Sequence, residues 1–330
     1  MIIEKTAYYF PEQHFMVSAS CFENERQFVM HQSYLGTSVL YKSAPHQTAS
    51  DLAMNAASIL LQDVDLNSID FLIFSSLTLD YHAPPTASVI HHSLGLKASC
   101  GVMDLPVGCA GFPTALMTAN GLFNTLNLNR ILILLGEIPT RSIHPDDSSV
   151  SYVFGDAGVA VLLKPSTASL PFEFGNDGKG FSSLNVLRGG ARFPMDIAFL
   201  ESNASFPWLN QFGQLSMDGH GVLKLTLTHI PKAVYSLLEK FDMTLKQIDY
   251  LIFHQASTIV INALKRKLGL PDHKVINYIA EGGNTISCSI PIAWAKAEEN
   301  KQFKDGDRIL IMGFGVGFSW CGTILTYRST

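Results

Sequence analysis

The chain has 330 residues, 47% hydrophobic and 15% charged, with a formal net charge of -5 at neutral pH. That length predicts two domains or one body of two similar halves, and the apolar content excludes a disordered linker or tail. The acidic balance argues against DNA or RNA as the main partner, and no run of about eighteen apolar residues is present to cross a membrane.

Residues 1–14 lack the basic-then-apolar order of a secretory signal, so a soluble cytoplasmic protein is expected. Ser50–Leu61 has helical apolar spacing behind a serine suited to an N-cap. Leu66–Phe74 follows, a brief apolar run entered through polar residues, as buried strands are. Asp104–Ala119 reads as a strand, a tight turn and a helix, with Cys109 in the turn, and Asn129–Ile133 reads as another buried strand. The stretch from about 165 to 215 contains Asn176–Gly180, Gly189–Gly190 and Phe206–Trp208, which suit a surface excursion. Beyond it come a helix over Gly221–Phe241, a strand over Leu245–Phe253, an apolar strand over Val275–Tyr278, the turn Glu281–Thr285, a strand at Asp307–Ile311 and the glycine-rich Gly313–Trp320.

Two of these strands recur. Leu66–Phe74 returns as Leu245–Phe253 with Ile, Asp, Leu, Ile and Phe in the same relative places, and Asn129–Ile133 returns as Asp307–Ile311. A repeat on the scale of half a chain fixes architecture before any single residue is interpreted. It predicts a duplicated α/β body of mostly parallel mixed sheets, with halves at 1–165 and 216–330 joined by 166–215. The active site is then expected where strand ends and helix starts from both halves converge.

Several residues in those places have useful chemistry. Cys109 at a helix start would feel the positive end of the macrodipole, which favours a thiolate; as a lone cysteine it also suits a buried packing role. The five cysteines, Cys21, Cys100, Cys109, Cys288 and Cys321, form no CxxC pair and no metal-like spacing, so free thiols in a reducing compartment are expected. His254 ends a recurring strand and could be an acid, a base, an oxyanion donor or a satisfied core histidine. Asn284 occupies, in the second half, the turn equivalent to that of Cys109. Gly313–Trp320 lacks nucleotide-binding spacing and suits a loop that brings backbone N–H groups to a reacting thioester.

Taken together, Gly108–Phe112, Phe154–Gly158, His254–Ala256, Gly283–Thr285 and Phe314–Trp320 resemble β-ketoacyl-acyl-carrier-protein synthase III and its relatives in the thiolase superfamily, in order and spacing, over nearly the whole chain from about residue 45. The resemblance implies a five-layered αβαβα fold, a homodimer, and no metal or bound cofactor. It implies that Cys109 is the nucleophile, that His254 and Asn284 hold the thioester carbonyl of the extender, and that the backbone N–H groups of Cys109 and Val316 hold the acyl oxyanion. Acyl groups would arrive on the phosphopantetheine of acyl carrier protein or coenzyme A. Lys224, Arg266 and Lys267 match the family's carrier-docking positions, and read equally well as solvated helix charges.

The pattern also departs from the family. The Trp and Arg that sandwich adenine in fatty-acid starter enzymes correspond to Met30 and Tyr34, a further nucleotide-contacting Arg to Ser148, and a docking Arg to Ile259. The phenylalanine that limits the acyl pocket corresponds to Pro84, which implies room for a bulkier acyl group. With these losses, the resemblance implies decarboxylative Claisen condensation of the Cys109-bound acyl group with a malonyl- or β-ketoacyl-type thioester in specialised lipid or polyketide metabolism, for example toward resorcinol-type products. The alternatives are a fatty-acid initiating synthase, an acyltransferase to an alcohol or amine, and a non-catalytic subunit of a heterodimer.

Overall fold

The computed structural model describes residues 1–143, 147, 150–167, 170–187, 189–194 and 214–329; Ser148 and Phe206–Trp208 lie outside them. The first half contains β1 (Ile2–Tyr9), the ribbon strands β2 (His14–Met16) and β3 (Val39–Tyr41), then β4 (Ile69–Ser75), β5 (Gly101–Leu105), β6 (Arg130–Glu137) and β7 (Ala157–Lys164). Its helices are α1 (Glu25–Tyr34), α2 (Ala49–Leu60), α3 (Thr86–Ser93) and α4 (Gly111–Thr125). The second half contains β8 (Glu173–Asn176), the ribbon strands β9 (Leu184–Val186) and β10 (Leu215–Met217), then β11 (Tyr250–Phe253), β12 (Arg308–Gly315) and β13 (Ser319–Thr326). Its helices are α5 (Gly219–Lys240), α6 (Thr258–Leu268) and α7 (Ser289–Glu299).

The recurring segments become β4 and β11, and β6 and β12. Their sheets have matching orders, β1-β7-β6-β4-β5 and β8-β13-β12-β11. Parallel pairing joins β4 to β5, β4 to β6 and β11 to β12, whereas β6–β7, β7–β1, β12–β13 and β13–β8 are antiparallel. The sheets are therefore mixed, as expected, but not mostly parallel, because the chain returns after β6 and β12 without a crossover helix. β8 lies inside the segment expected to be a mere connection, so the second sheet takes its edge strand from within 166–215.

Side-chain alternation along the central strands builds the layers. Ile131, Ile133 and Leu135 of β6, with Val159, Val161 and Leu163 of β7, face a core shared with Phe112 and Leu116 of α4, Ile290 and Trp294 of α7, and Ile309 and Ile311 of β12. The intervening Leu132, Leu134, Ala160 and Leu162 face α2 on the other side. In the second sheet Leu251, Phe253, Leu310 and Met312 turn outward to Val234, Leu237 and Leu264 of α5 and α6. Strands buried on both faces explain the continuous apolar runs, and the result is the layered α-β-α-β-α order.

Two local expectations change. Thr48, not Ser50, caps α2, with Asp51 completing a capping box. Val275–Tyr278 forms only a single bridge to Leu251. The Gln255 side chain donates to the Ile276 carbonyl at 3.4 Å and accepts the Tyr278 N–H at 2.9 Å, taking up groups that a strand ladder would use.

Candidate active site

Cys109 follows β5 in the turn before α4 and is buried. Asp104, at the end region of β5, accepts the Thr86 and Ala87 N–H groups at 2.7 and 2.8 Å, which anchors the strand to the start of α3. The loop between β12 and β13 closes over the sulfur. A Cβ at Gly315 would stand 2.6 Å from Cys109 Sγ, so only glycine permits this approach. The backbone N–H groups of Val316 and of Cys109 itself act on the sulfur.

The expected thiolate is not the resting state. Burial pushes the thiol up to about 12; the Val316 N–H pulls down, the nearby Glu137 carboxyl pushes up, and the Cys109 N–H pulls down. Desolvation of the anion thus outweighs the helix start.

His254 extends the parallel pairing of β11, its N–H donating to the Met312 carbonyl at 3.0 Å. The ring is 1% exposed and meets Phe314 edge to face at 5.8 Å and 86°. Burial lowers its pKa to about 3, against a weaker opposing effect of the Ile286 carbonyl, so the imidazole is neutral. Its Nδ1 lies 2.7 Å from Ser289 Oγ.

Asn284 is held by both halves. Its N–H donates to the Val153 carbonyl at 2.8 Å, and Gly155 N–H donates to the Asn284 carbonyl at 3.3 Å. Gly283, at φ +65, makes the turn beside Leu40 and Val153, where a Cβ would clash. The side-chain Oδ1 accepts the Ile286 N–H at 3.0 Å. Since that backbone group can only donate, the amide orientation is fixed and Nδ2 remains as a donor.

Cys109, His254, Asn284 and Val316 line one cavity of about 570 Å³. Its walls are mainly apolar, from Leu77, Val153, Phe154, Leu215, Met217 and Phe314 among others, and no Lys or Arg lines it among the described residues. Tyr34 and Ile259 belong to this lining, whereas Met30 does not. Pro84 precedes α3 on the surface, exposed and outside the cavity of this chain. Lys224 on α5 and Arg266 and Lys267 at the end of α6 are exposed, with no ion pair among the described residues.

Sequence reasoning did not single out Glu137, Ser287 or Ser289. Glu137 ends β6, is fully buried, and accepts the Ser287 hydroxyl at 2.6 Å and the Leu77 N–H at 3.2 Å. Burial pushes its carboxyl up to about 8, opposed by those hydrogen bonds. A lone carboxylate closing an otherwise apolar strand was the available signal for Glu137. The serines, within Ser287–Ser289, gave none.

Two family models and several known proteins match the chain. The model for the 3-oxoacyl-[acyl-carrier-protein] synthase III family matches residues 103–178, and the model for its C-terminal region matches residues 238–327. The chain is 31% identical over 299 residues to a putative 3-oxoacyl-[acyl-carrier-protein] synthase 3 of Campylobacter jejuni, covering 89% of this chain and 83% of that one. A solved 3-oxoacyl-(acyl-carrier-protein) synthase III superposes with a TM-score of 0.90 at 30% identity, covering 99% of each chain. The priming β-ketosynthase of the R1128 polyketide pathway superposes with a TM-score of 0.86 at 25% identity, covering 99% of this chain and 96% of that one.

Proposed function

Since this chain belongs to the 3-oxoacyl-[acyl-carrier-protein] synthase III family of acyl-transferring condensing enzymes, we propose that it carries an acyl group on Cys109 and extends it by decarboxylative Claisen condensation. The observation that carries this reading is the sharing of one cavity by a thiol, a neutral imidazole and an amide, with the Val316 N–H on the sulfur.

The Cys109 sulfur attacks an acyl thioester carbonyl. The oxyanion is held by the Cys109 and Val316 N–H groups, and the departing thiolate takes the proton given up by the Cys109 thiol, leaving an S-acyl cysteine. A malonyl-type thioester then loses carbon dioxide, and the electron pair of the broken bond becomes an enolate. His254 and Asn284 donate to the enolate oxygen; each such donor is typically worth about 3 kcal/mol of barrier. The enolate carbon attacks the acyl carbonyl, forming the carbon-carbon bond and expelling the Cys109 thiolate, which recovers a proton from solvent. Asn284 cannot act as a base, which favours decarboxylation over proton abstraction from the extender.

The apolar walls, with no Lys or Arg in them among the described residues, support a bulky acyl group delivered by a carrier protein, in specialised lipid or polyketide metabolism. Similarity to a polyketide priming synthase supports the same placement. Product mass and released carbon dioxide test the proposal with a panel of acyl and malonyl thioesters. Condensed products with stoichiometric carbon dioxide are expected. Acyl transfer without carbon dioxide would overturn condensation, and turnover of acetyl-coenzyme A exceeding that of longer acyl groups would overturn the specialised role.

A further inference from the structure

We infer that Ser289 decides which nitrogen of His254 carries the proton, holding the ring as an Nε2–H donor facing the reacting groups. Ser289 is the first residue of α7, 3% exposed, in a place where no solvent competes for its hydroxyl. Its Oγ lies 2.7 Å from His254 Nδ1 and 3.3 Å from the backbone nitrogen of Gln255.

The Gln255 N–H can only donate, so Ser289 Oγ accepts there. His254 Nδ1 is the only acceptor within reach of the Ser289 hydroxyl among the described residues, so although Oγ has a second lone pair, donation to Nδ1 is the one arrangement that leaves no buried O–H unpaired, and Nδ1 is then the unprotonated nitrogen. A neutral imidazole has one ring hydrogen, and it is placed on Nε2. Phe314 fixes the ring plane, so the donor cannot swing away. Meanwhile the Gln255 side chain binds the Phe253 carbonyl at 2.7 Å and the Tyr278 N–H at 2.9 Å, which keeps its backbone N–H aimed at Ser289.

Ser289 is thus a positioning residue. Its effect on catalysis rests on the condensation proposed above: an Nε2–H donor stabilises an enolate oxygen, whereas the other tautomer would present a lone pair to it. The assignment of the tautomer does not depend on that reaction.

The test uses the full-length protein labelled with 15N-histidine, and long-range proton-nitrogen spectra, with the His254 signals identified by their loss in His254→Gln. The wild type is expected to show a neutral ring protonated at Nε2. Ser289→Ala is expected to shift the ring toward the Nδ1–H form and slow condensation about 10- to 100-fold with KM unchanged, the usual range for losing a group that orients a functional histidine. Ser289→Thr is expected to restore both. A wild-type ring protonated at Nδ1 would overturn the proposal even if no variant folds, as would an unchanged tautomer in Ser289→Ala. If the tautomer shifts as expected but the wild type condenses no extender, the proton placement stands and the proposed reaction fails.

Discussion

The Ser287 hydroxyl donates to the Glu137 carboxyl over 2.6 Å, joining opposite halves of the duplicated body beside the turn that carries Cys109. Ser287 packs against that turn directly: a Cβ at Gly111 would stand 2.9 Å from Ser287 Cβ. This bond gives the joint between the halves a titratable group.

In the unfolded chain the Glu137 carboxyl loses its proton near the ordinary 4.5, whereas the folded protein holds it up to about 8. Folding therefore retains a proton across that window. The contribution is fully present below 4.5 and is lost as pH rises toward 8, at about 1.4 kcal/mol per pH unit. Glu137→Gln is neutral throughout, so its unfolding free energy, measured in denaturant from pH 5 to 8, should fall less steeply than that of the wild type. Taking this difference removes His254, whose lowered value costs stability in the other direction, as pH falls from 6.5 toward 3. Parallel curves would show that Glu137 is ionised in the folded protein.

With its thiol pushed up to about 12, Cys109 should alkylate slowly at neutral pH. Modification by iodoacetamide, followed by peptide mass, should climb about tenfold per pH unit between pH 7 and 9. A plateau near neutrality would mean that the helix start wins over burial after all.

Gly315→Ala puts a methyl group 2.6 Å from Cys109 Sγ and 2.7 Å from its Cβ, forcing apart the loop that offers the Val316 N–H. Acylation of Cys109 should slow on the order of 10²-fold, the usual cost of one lost oxyanion donor. Gly178→Ala, where a Cβ meets nothing within 4 Å, is the matched control and should acylate as the wild type does.

Charge reversal at Lys224, Arg266 and Lys267 tests the carrier surface. The triple Glu variant should raise KM for carrier-borne substrates well beyond any change with a small thioester, and should weaken the salt dependence of the former. Equal changes for both substrates would leave the three as ordinary solvated charges.

Much of the fold is legible because duplication repeats a pattern: Ile69–Phe74 and Ile248–Phe253 announce equivalent strands, and the equivalent turns then bring Cys109 and Asn284 together. What the sequence hides is the pairing that depends on side chains far along the chain. Val275–Tyr278 has the composition of a strand, yet Gln255 takes its polar groups. Helix position alone implies a thiolate at Cys109, but the cost of desolvation appears only when Gly315 and Phe314 close over the site. Ser289 is one serine among many until His254, 35 residues away, comes within 2.7 Å.

Intact-protein mass after incubation with acyl thioesters tests the central claim most directly, because the added mass reports both the acyl group and the residue that holds it. The wild type should gain one acyl group, and Cys109→Ala should gain none. An adduct that persists in Cys109→Ala and disappears on replacing Cys288 or Cys321 would contradict the account.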